Sequence, residues 1–500
     1  MLARFMPQVE IVERISDHVL EPAHAAYYSA PPGQYLRLFM QARKDFLSIW
    51  RRGDYRERVS QIQLLGRQVV LVNSPDVIRD ILVKRRDNYE RKSPQMRRAL
   101  EYLLGDGLFI SDGPTWRQRR ALVSDIVHKD RVPAFSPIIE QTALEMAHRW
   151  QRIPDRTTID VLPEMAALTA EIISRSVFGR ELGDASTTEV SDSFTQYQSL
   201  VDSTNPGYFL GFDEGLPMVR TPALKRAVRR LHRVVDRIVE DHLAGRGSHN
   251  SMMELLIRRQ KRNPELGLDA VALRNEAATI FMAGHETTAA TLTWAWYLLA
   301  RAPWVERAVH DEIARVCGDR APTLEDLPNL HWCQAVIDET LRLYPPVPIL
   351  ARQNREADEI GDIRVPRGSL ILIVPWLLHR TESLFEAPHE FRPERFMDGR
   401  KPAPYSYIPF ASGPRVCPGQ HFGLTEAVLC LAILAQRFRL VLPPEQKVVP
   451  QCRLTLRPRD GLPATLVHRP PVHASAASGA TPREKTQGMD VPAGSCPFSA

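Results

Sequence analysis

The sequence predicts a mainly α-helical protein with small β-sheets. Apolar residues recur every three or four positions through most of residues 135–260, and a long helical pattern covers residues 269–301, as expected where one face of each helix is buried. Two shorter stretches, residues 60–73 and 363–376, alternate instead and are predicted to contain strands. A chain of 500 residues has room for one large domain or about three smaller ones.

Composition and charge are those of an ordinary globular protein. The chain is 44% hydrophobic and 25% charged, and its net charge of +6 is spread along its length. No run of lysine and arginine is dense enough to predict nucleic-acid binding. The six cysteines include no C-x-x-C pair, so neither a zinc site nor an iron–sulfur cluster is indicated. A reducing, cytoplasmic setting is therefore expected.

The sequence also predicts that the chain has no membrane anchor. Charged residues such as Glu10, Glu13 and Arg14 occupy the N-terminal region, which is unlike a signal peptide. The longest apolar run, residues 370–378, is interrupted by Pro375 and is far shorter than the roughly 18 residues that a membrane span needs.

The elements are expected in the following order. Residues 1–40 lead into the domain, and residues 60–73 form a hairpin. A helix begins near Pro75, because proline is tolerated at the first helical position. Residues 205–218 are rich in Pro, Gly and aromatic side chains, which fits either a substrate-access loop or an ordinary helix connection. Residues 366–368, Pro-Arg-Gly, are predicted to be the turn between two later strands.

The most informative stretch is residues 410–419, Phe-Ala-Ser-Gly-Pro-Arg-Val-Cys-Pro-Gly. Cys417 precedes an apolar, helix-like segment, so the N–H groups and macrodipole of a helix N-terminus favour its thiolate, and Arg415 adds a positive charge. Gly413 and Gly419 are expected to adopt backbone conformations closed to other residues. A thiolate so placed is suited to be an axial ligand of haem iron. A lone cysteine in a turn is otherwise more often a buried structural thiol.

Two pairs of side chains are placed on shared helix faces. Trp116 and Arg120 are four residues apart, and an indole N–H beside a guanidinium suits a single carboxylate. Taken alone, this pair is also explained as a surface cation–π contact. Glu339 and Arg342 are three residues apart and, taken alone, form a surface ion pair worth well under about 1 kcal/mol.

The long helix at residues 269–301 carries Ala-Gly-His-Glu-Thr-Thr in its middle. Ile280, Gly284, Thr287 and Thr291 fall on one stripe. Glycine inside a helix costs about 1 kcal/mol relative to alanine, so we expect a planar cofactor or a ligand to lie against this stripe. Thr287 offers a hydroxyl and Glu286 a carboxylate, the pair of groups that proton delivery during dioxygen activation needs. The alternative is that the threonine only bonds back to a carbonyl of the preceding turn.

These motifs together resemble those of the cytochrome P450 family. Phe-x-x-Gly-x-Arg-x-Cys-x-Gly is similar to the family's haem-binding signature, and every specified position is filled. Trp-x-x-x-Arg resembles its haem-propionate clamp, and Ala-Gly-x-Glu-Thr-Thr resembles its oxygen-activating helix. Glu-x-x-Arg followed by Pro resembles its buried structural network, which Arg395 is expected to complete. The motifs stand in family order, and the resemblance covers roughly residues 40–468.

The resemblance implies a single-domain cytochrome P450 fold over residues 41–468, which binds haem b between the long helix and the cysteine loop. Residues 469–500 are predicted by their composition to be a disordered tail. Residues 347–352 are implied to line the cavity. Arg352 and His379 are candidate propionate partners, although an ordinary satisfied histidine explains His379 equally well. The implied haem-binding residues are Cys417, which is also the metal ligand, with Trp116, Arg120, Arg352, His379, Arg415, Phe410 and Gly284.

The function implied by the resemblance is that of a soluble, bacterial-type haem-thiolate monooxygenase. It would insert one atom of O2 into a lipophilic substrate, with a fatty acid or terpenoid favoured, and Glu286 and Thr287 would be catalytic. We expect no fused reductase, so electrons would come from a separate partner such as a ferredoxin and its reductase. Arg117 and Arg119 favour an acidic partner. The alternatives are a haem-thiolate enzyme with peroxide-driven or rearrangement chemistry, and a non-catalytic haem sensor or electron carrier.

Overall fold

A computed structural model describes most of the chain between residues 13 and 470. The described residues are 13–16, 18–28, 40–42, 45–179, 206–212, 220–245, 251–266, 268–452 and 454–470, together with residues 193, 196, 197 and 200. Most of the predicted N-terminal segment, most of the predicted tail and part of the candidate access loop at residues 205–218 lie outside these ranges. Within the described ranges, no helix combines the length and the apolar character needed to cross a bilayer.

Helices dominate the described chain, as predicted. The α-helices are α1 (Pro75–Arg79), α2 (Arg86–Tyr89), α3 (Pro94–Leu104), α4 (Gly113–Ile126), α5 (Val132–Gln151), α6 (Val161–Phe178), α7 (Pro206–Phe209), α8 (Pro222–Leu243), α9 (Met252–Arg262), α10 (Ala270–Arg301), α11 (Pro303–Cys317), α12 (His331–Leu343), α13 (Pro375–Leu378) and α14 (Gln420–Arg437). A π-helical turn, Asp80–Lys84, follows α1 directly. The helix predicted to begin near Pro75 is therefore confirmed.

The strands form small sheets, again as predicted. The strands are β1 (Arg14–Ser16), β2 (Val19–Glu21), β3 (Val59–Leu64), β4 (Arg67–Val72), β5 (Thr158–Asp160), β6 (Leu350–Gln353), β7 (Asp358–Ile360), β8 (Ile363–Val365), β9 (Leu370–Ile373), β10 (Phe438–Val441), β11 (Pro450–Cys452), β12 (Leu456–Pro458) and β13 (Pro463–His468). The largest described sheet has the order β3-β4-β9-β6, and a second has the order β10-β13-β5. The remaining pairs are β1-β2, β7-β8 and β11-β12.

One strand connection was predicted wrongly. The hairpin at residues 60–73 is confirmed as β3 and β4. Residues 366–368 do not join a second hairpin, because β8 pairs with β7 whereas β9 lies between β4 and β6. All four side chains of β9 are buried, as a central strand requires, while β8 exposes Arg364. Alternation alone could not distinguish these two environments.

Helix α10, predicted over residues 269–301, runs through the core. The Asp269 side chain caps it by accepting the Ala272 N–H at 2.7 Å. The helix packs against α6, α8, α12 and α14. From Thr288 to Leu299 every side chain is buried, so the second half is a core helix surrounded by protein rather than an amphipathic one.

The predicted network around Glu339 and Arg342 is confirmed. Both side chains are fully buried, and two Arg342 nitrogens donate to the two Glu339 oxygens at 2.7 and 2.8 Å. Other Arg342 donors reach the backbone carbonyls of His379 and Glu390, each at 2.8 Å. Arg395 Nε lies 3.3 Å from Glu339 Oε1. Because the buried charges are compensated and hydrogen-bonded, this cluster ties the segment after His379 to α12.

Candidate functional site

A cavity of about 290 Å³ lies between α10 and the cysteine loop, residues 410–419. A single water molecule needs only about 10–15 Å³, so the cavity has room for a much larger occupant. Residues 347 and 349–352 line it, as the resemblance implied. The predicted site residues that line it are Trp116, Arg120, Gly284, Glu286, Thr287, Arg352, Phe410, Arg415 and Cys417.

The cysteine loop is folded tightly by its backbone. The Cys417 N–H donates to the Phe410 carbonyl at 2.9 Å. Gly413 has a φ of +71°, and a Cβ there would lie 2.3 Å from the Leu82 carbonyl oxygen, so the predicted need for glycine is confirmed at this position. The same prediction is wrong for Gly419, whose φ of −87° is open to any residue.

The Cys417 side chain opens onto the cavity, directly before α14. Desolvation by the surrounding protein raises the pKa of the thiol, while the Gly419 N–H and the charges of Arg120 and Lys92 oppose that rise. The Gly419 N–H and the two cations thus act in the direction that we expected for a thiolate, and desolvation acts against them. A bound metal cation would deprotonate the thiol outright.

Four basic side chains surround the cavity near Cys417: Lys92, Arg120, Arg352 and Arg415. Burial lowers the pKa of Arg352 to about 10 and that of Arg415 to about 9. Burial also lowers the pKa of Lys92 well below its usual value. These shifts indicate that the positive charges are poorly compensated within the described protein.

The hydrogen bonds of these four side chains also indicate that their charges are poorly compensated. Arg120 Nη1 donates to the Val416 carbonyl at 2.6 Å. None of the three side-chain nitrogens of Arg415, nor Arg352 Nη2, has a hydrogen-bond partner among the described residues. The Arg415 guanidinium lies over the Trp116 ring, 4.3 Å from its centroid. An occupant that carries carboxylates would supply the missing acceptors, so the cavity fits the haem that the resemblance implies.

Lys92 was missed by sequence reasoning. It forms an isolated backbone bridge with Arg352 of β6, and its Nζ lies 4.5 Å from the centroid of the Phe109 ring. No motif or periodicity marks this lysine. Only the folded sheet brings it beside Arg352.

The α10 residues at the cavity make mostly local contacts. The Thr287 hydroxyl donates to the Ala283 carbonyl at 2.7 Å, which is the back-bonding alternative. The Glu286 carboxylate accepts a short hydrogen bond from the hydroxyl of Thr455, another cavity residue missed by sequence reasoning. A Cβ at Gly284 would lie 2.7 Å from Ile173 Cδ1. Close packing against α6 therefore favours a small residue at this position, which also lines the cavity.

Glu426 of α14 is a second carboxyl group at the cavity that the sequence did not reveal. It is fully buried, and Thr288 Oγ1 donates to its Oε2 at 3.3 Å. Burial raises the pKa of Glu426 well above its usual value. Burial therefore favours the uncharged form of this group.

His379 does not line the cavity. Its Nδ1 lies 3.2 Å from the Arg342 carbonyl oxygen, and its Nε2 accepts the Ile408 N–H at 2.9 Å. Burial lowers the pKa of His379 to about 3, so the ring is neutral with both nitrogens used. The predicted propionate contact is wrong, and His379 is the satisfied structural histidine of the alternative interpretation.

Arg119 also lies elsewhere than predicted. Its side chain is buried, with Nε 3.5 Å from Glu276 Oε1 and Nη2 3.4 Å from Asp106 Oδ2. Burial raises the pKa of Glu276 to about 7. Arg119 is thus unavailable to an external partner, whereas Arg117 is exposed.

Comparison with known proteins identifies the family. The chain is 33% identical over 404 residues to cyclooctatin synthase from Streptomyces melanosporofaciens, a match that covers 79% of this chain and 86% of that protein. It is 30% identical over 382 residues to cyclooctat-9-en-7-ol 5-monooxygenase from the same organism, covering 76% and 82% of the two chains. The solved haem domain of cytochrome P450DA superimposes with a TM-score of 0.73 at 23% identity, covering 88% of this chain and 94% of that one. The sequence model of the family named Cytochrome P450 matches residues 39–462, and the chain therefore belongs to the cytochrome P450 family.

Proposed function

We propose that this cytochrome P450 monooxygenase holds haem through Cys417 and oxidises a cyclic lipophilic substrate. Haem with an axial cysteine thiolate is the cofactor of the family. The observation that carries the proposal is the cavity that joins the Cys417 sulfur to four basic side chains, of which Arg352 and Arg415 have nitrogens without a hydrogen-bond partner among the described residues. That combination suits a metal cofactor with negatively charged substituents.

The proposed haem site divides its roles among named residues. Cys417 would hold the iron through its thiolate, a form that the Gly419 N–H favours by lowering the pKa of the thiol. Arg120, Arg352 and Arg415 would neutralise the propionates. When bound, haem supplies the iron at which O2 is activated.

Proton delivery is the proposed task of Glu286 and Thr287. The Thr455 hydroxyl holds the Glu286 carboxylate at the edge of the cavity. The Thr287 hydroxyl donates to Ala283 in the present structure, so its oxygen can still accept a proton-bearing partner from the cavity. The Glu286 carboxyl group can then take up protons from solvent, and the Thr287 hydroxyl can pass them into the cavity.

The substrate space favours a cyclic, mainly hydrocarbon ligand. Its walls include Leu100, Phe109, Ile280, Val347, Ile349 and Leu454. Two of the relatives are named for cyclic products or substrates, cyclooctatin and cyclooctat-9-en-7-ol. We therefore favour a cyclic terpenoid-like alcohol or hydrocarbon over a linear fatty acid.

Electrons are proposed to come from a separate, acidic carrier. Arg117 of α4 is exposed and directly follows Trp116 of the cavity wall. A positive charge near the cofactor would speed the encounter with a negatively charged partner, and salt would screen it.

The first prediction concerns the substrate. Titration of the purified haem protein with cyclic alcohols of terpenoid size should shift the Soret band, whereas linear fatty acids of equal carbon number should give a smaller shift at equal concentration. The apolar walls of the substrate space are the physical reason. A shift with fatty acids alone would contradict the proposed substrate class, and absence of haem from the purified protein would contradict the proposed function.

The second prediction concerns Thr287. In Thr287→Ala, haem should be retained, but most electrons from NAD(P)H should end in hydrogen peroxide rather than in product. Thr293→Ala is the matched control, because Thr293 makes the same back-bond on α10, to the Ala289 carbonyl at 2.8 Å, but is not among the residues that line the cavity. Unchanged coupling of electrons to product in Thr287→Ala would contradict the proton-delivery role of Thr287, whereas product formation without NAD(P)H would favour peroxide-driven or rearrangement chemistry.

The third prediction concerns Arg352. Its buried charge lacks a full set of acceptors, so Arg352→Leu should stabilise the haem-free protein against urea by about 1–4 kcal/mol while haem retention falls. Arg342→Leu is the control: it breaks a fully satisfied buried pair and should destabilise the protein by about 3–5 kcal/mol. Wild-type haem retention in Arg352→Leu would contradict the propionate role.

The fourth prediction concerns the carrier. Turnover supported by an acidic ferredoxin should slow as ionic strength rises, and Arg117→Ala should reduce that dependence on salt. Turnover that is indifferent to salt in both proteins would count against an acidic partner.

A further inference from the structure

The loop between α3 and α4, residues 105–112, forms one side of the cavity. Leu108 and Phe109 from this loop line the cavity beside Met96 and Leu100 of α3. Apart from turns, residues 105–112 contain no regular structure. The position of Leu108 and Phe109 therefore depends on contacts that the loop makes with other elements.

Helix α10 supplies most of these contacts. The Leu108 N–H donates to both carboxylate oxygens of Glu276, at 3.0 and 3.3 Å. Asn275 Nδ2 donates to Asp106 Oδ1 at 3.0 Å. A Cβ at Gly107 would lie 2.2 Å from Thr279 Oγ1, so the loop backbone rests directly on α10.

Arg119 of α4 joins the same cluster. Its Nε lies 3.5 Å from Glu276 Oε1, and its Nη2 lies 3.4 Å from Asp106 Oδ2. Glu276 has no exposed surface. One buried carboxylate thus links the three elements on this side of the cavity: α10, α4 and the loop that carries Phe109.

We propose that Glu276 is a positioning residue that determines which substrates the enzyme accepts, by fixing Leu108 and Phe109 against the substrate space. The inference rests on the proposed function, because it treats the cavity beside the loop as the place of the substrate. Glu276 itself does not line the cavity. Its effect on substrate is exerted through the Leu108 N–H, whose hydrogen bonds to both Glu276 oxygens are buried, so a change of acceptor there should be felt by the loop.

A matched control exists for the structural part of this role. Glu312 of α11 is also buried, and its carboxylate accepts the N–H groups of Trp332 at 2.9 Å and of Cys333 at 3.1 Å. These bonds hold the start of α12. Glu312 is not among the residues that line the cavity, so Glu312→Gln changes a comparable buried bond without touching the loop.

The test compares Glu276→Gln, Glu312→Gln and wild type as haem-loaded full-length proteins. Each is titrated with a compact bicyclic alcohol and a bulky tetracyclic alcohol, and the dissociation constants are read from the Soret shift. Loosening of Leu108 and Phe109 should change the ratio of the two constants by about tenfold in Glu276→Gln. Glu312→Gln should leave the ratio at its wild-type value. An unchanged ratio in Glu276→Gln, or an equal change in Glu312→Gln, would overturn the proposal.

Two further measurements keep the proposal decidable. If Glu276→Gln does not bind haem, Asn275→Ala is tested instead, because it removes the hydrogen bond from Asn275 to Asp106 of the loop. The ratio of the two dissociation constants should change in this variant as well. An unchanged ratio would overturn the proposal. If wild type binds neither alcohol, the proposed substrate class is wrong. Amide hydrogen exchange then tests separately whether Glu276 fixes the Leu108 backbone. Faster exchange of the Leu108 N–H in Glu276→Gln than in Glu312→Gln would support this role of Glu276, and equal exchange would refute it.

Discussion

Positive charge enclosed beside Cys417 is the constraint on which the site depends. Lys92, Arg120, Arg352 and Arg415 come from four separate stretches of the chain and meet at one cavity. Burying a cation without hydrogen-bond acceptors is unfavourable unless an anion pairs with it. These groups therefore lower the stability of the protein when no anion is bound. This requirement, more than the shape of the cavity, explains why an anionic cofactor suits it.

The two sides of the cavity are built differently. One wall is formed by α10, a regular helix that continues beyond Thr288 as a stretch surrounded by protein. The opposite side is a loop without regular structure, attached through Glu276 and Asn275. One side of the cavity is thus a regular helix, whereas Leu108 and Phe109 on the other side are positioned by a few contacts of an irregular loop.

Much of this arrangement could be predicted from the sequence, because short motifs record local geometry. The cysteine loop, α10 and the Glu339–Arg342 pair were predicted by spacing and by resemblance. Lys92 and Glu426 could not be, since each acquires its position only through tertiary contacts. The wrong prediction for His379 has the same origin. Nothing in the local sequence distinguishes a histidine whose two ring nitrogens are bonded to the backbone from one that faces a ligand.

The hydrogen bonds of His379 also connect the core to the cofactor ligand. Arg342 binds the His379 carbonyl, His379 Nε2 accepts the Ile408 N–H, and the nearby Phe410 carbonyl accepts the Cys417 N–H. The sulfur is thus positioned by the same bonds that hold the core together. Local unfolding around Glu339 and Arg342 should accordingly displace the thiol as well, even if the rest of the haem-free protein stays folded.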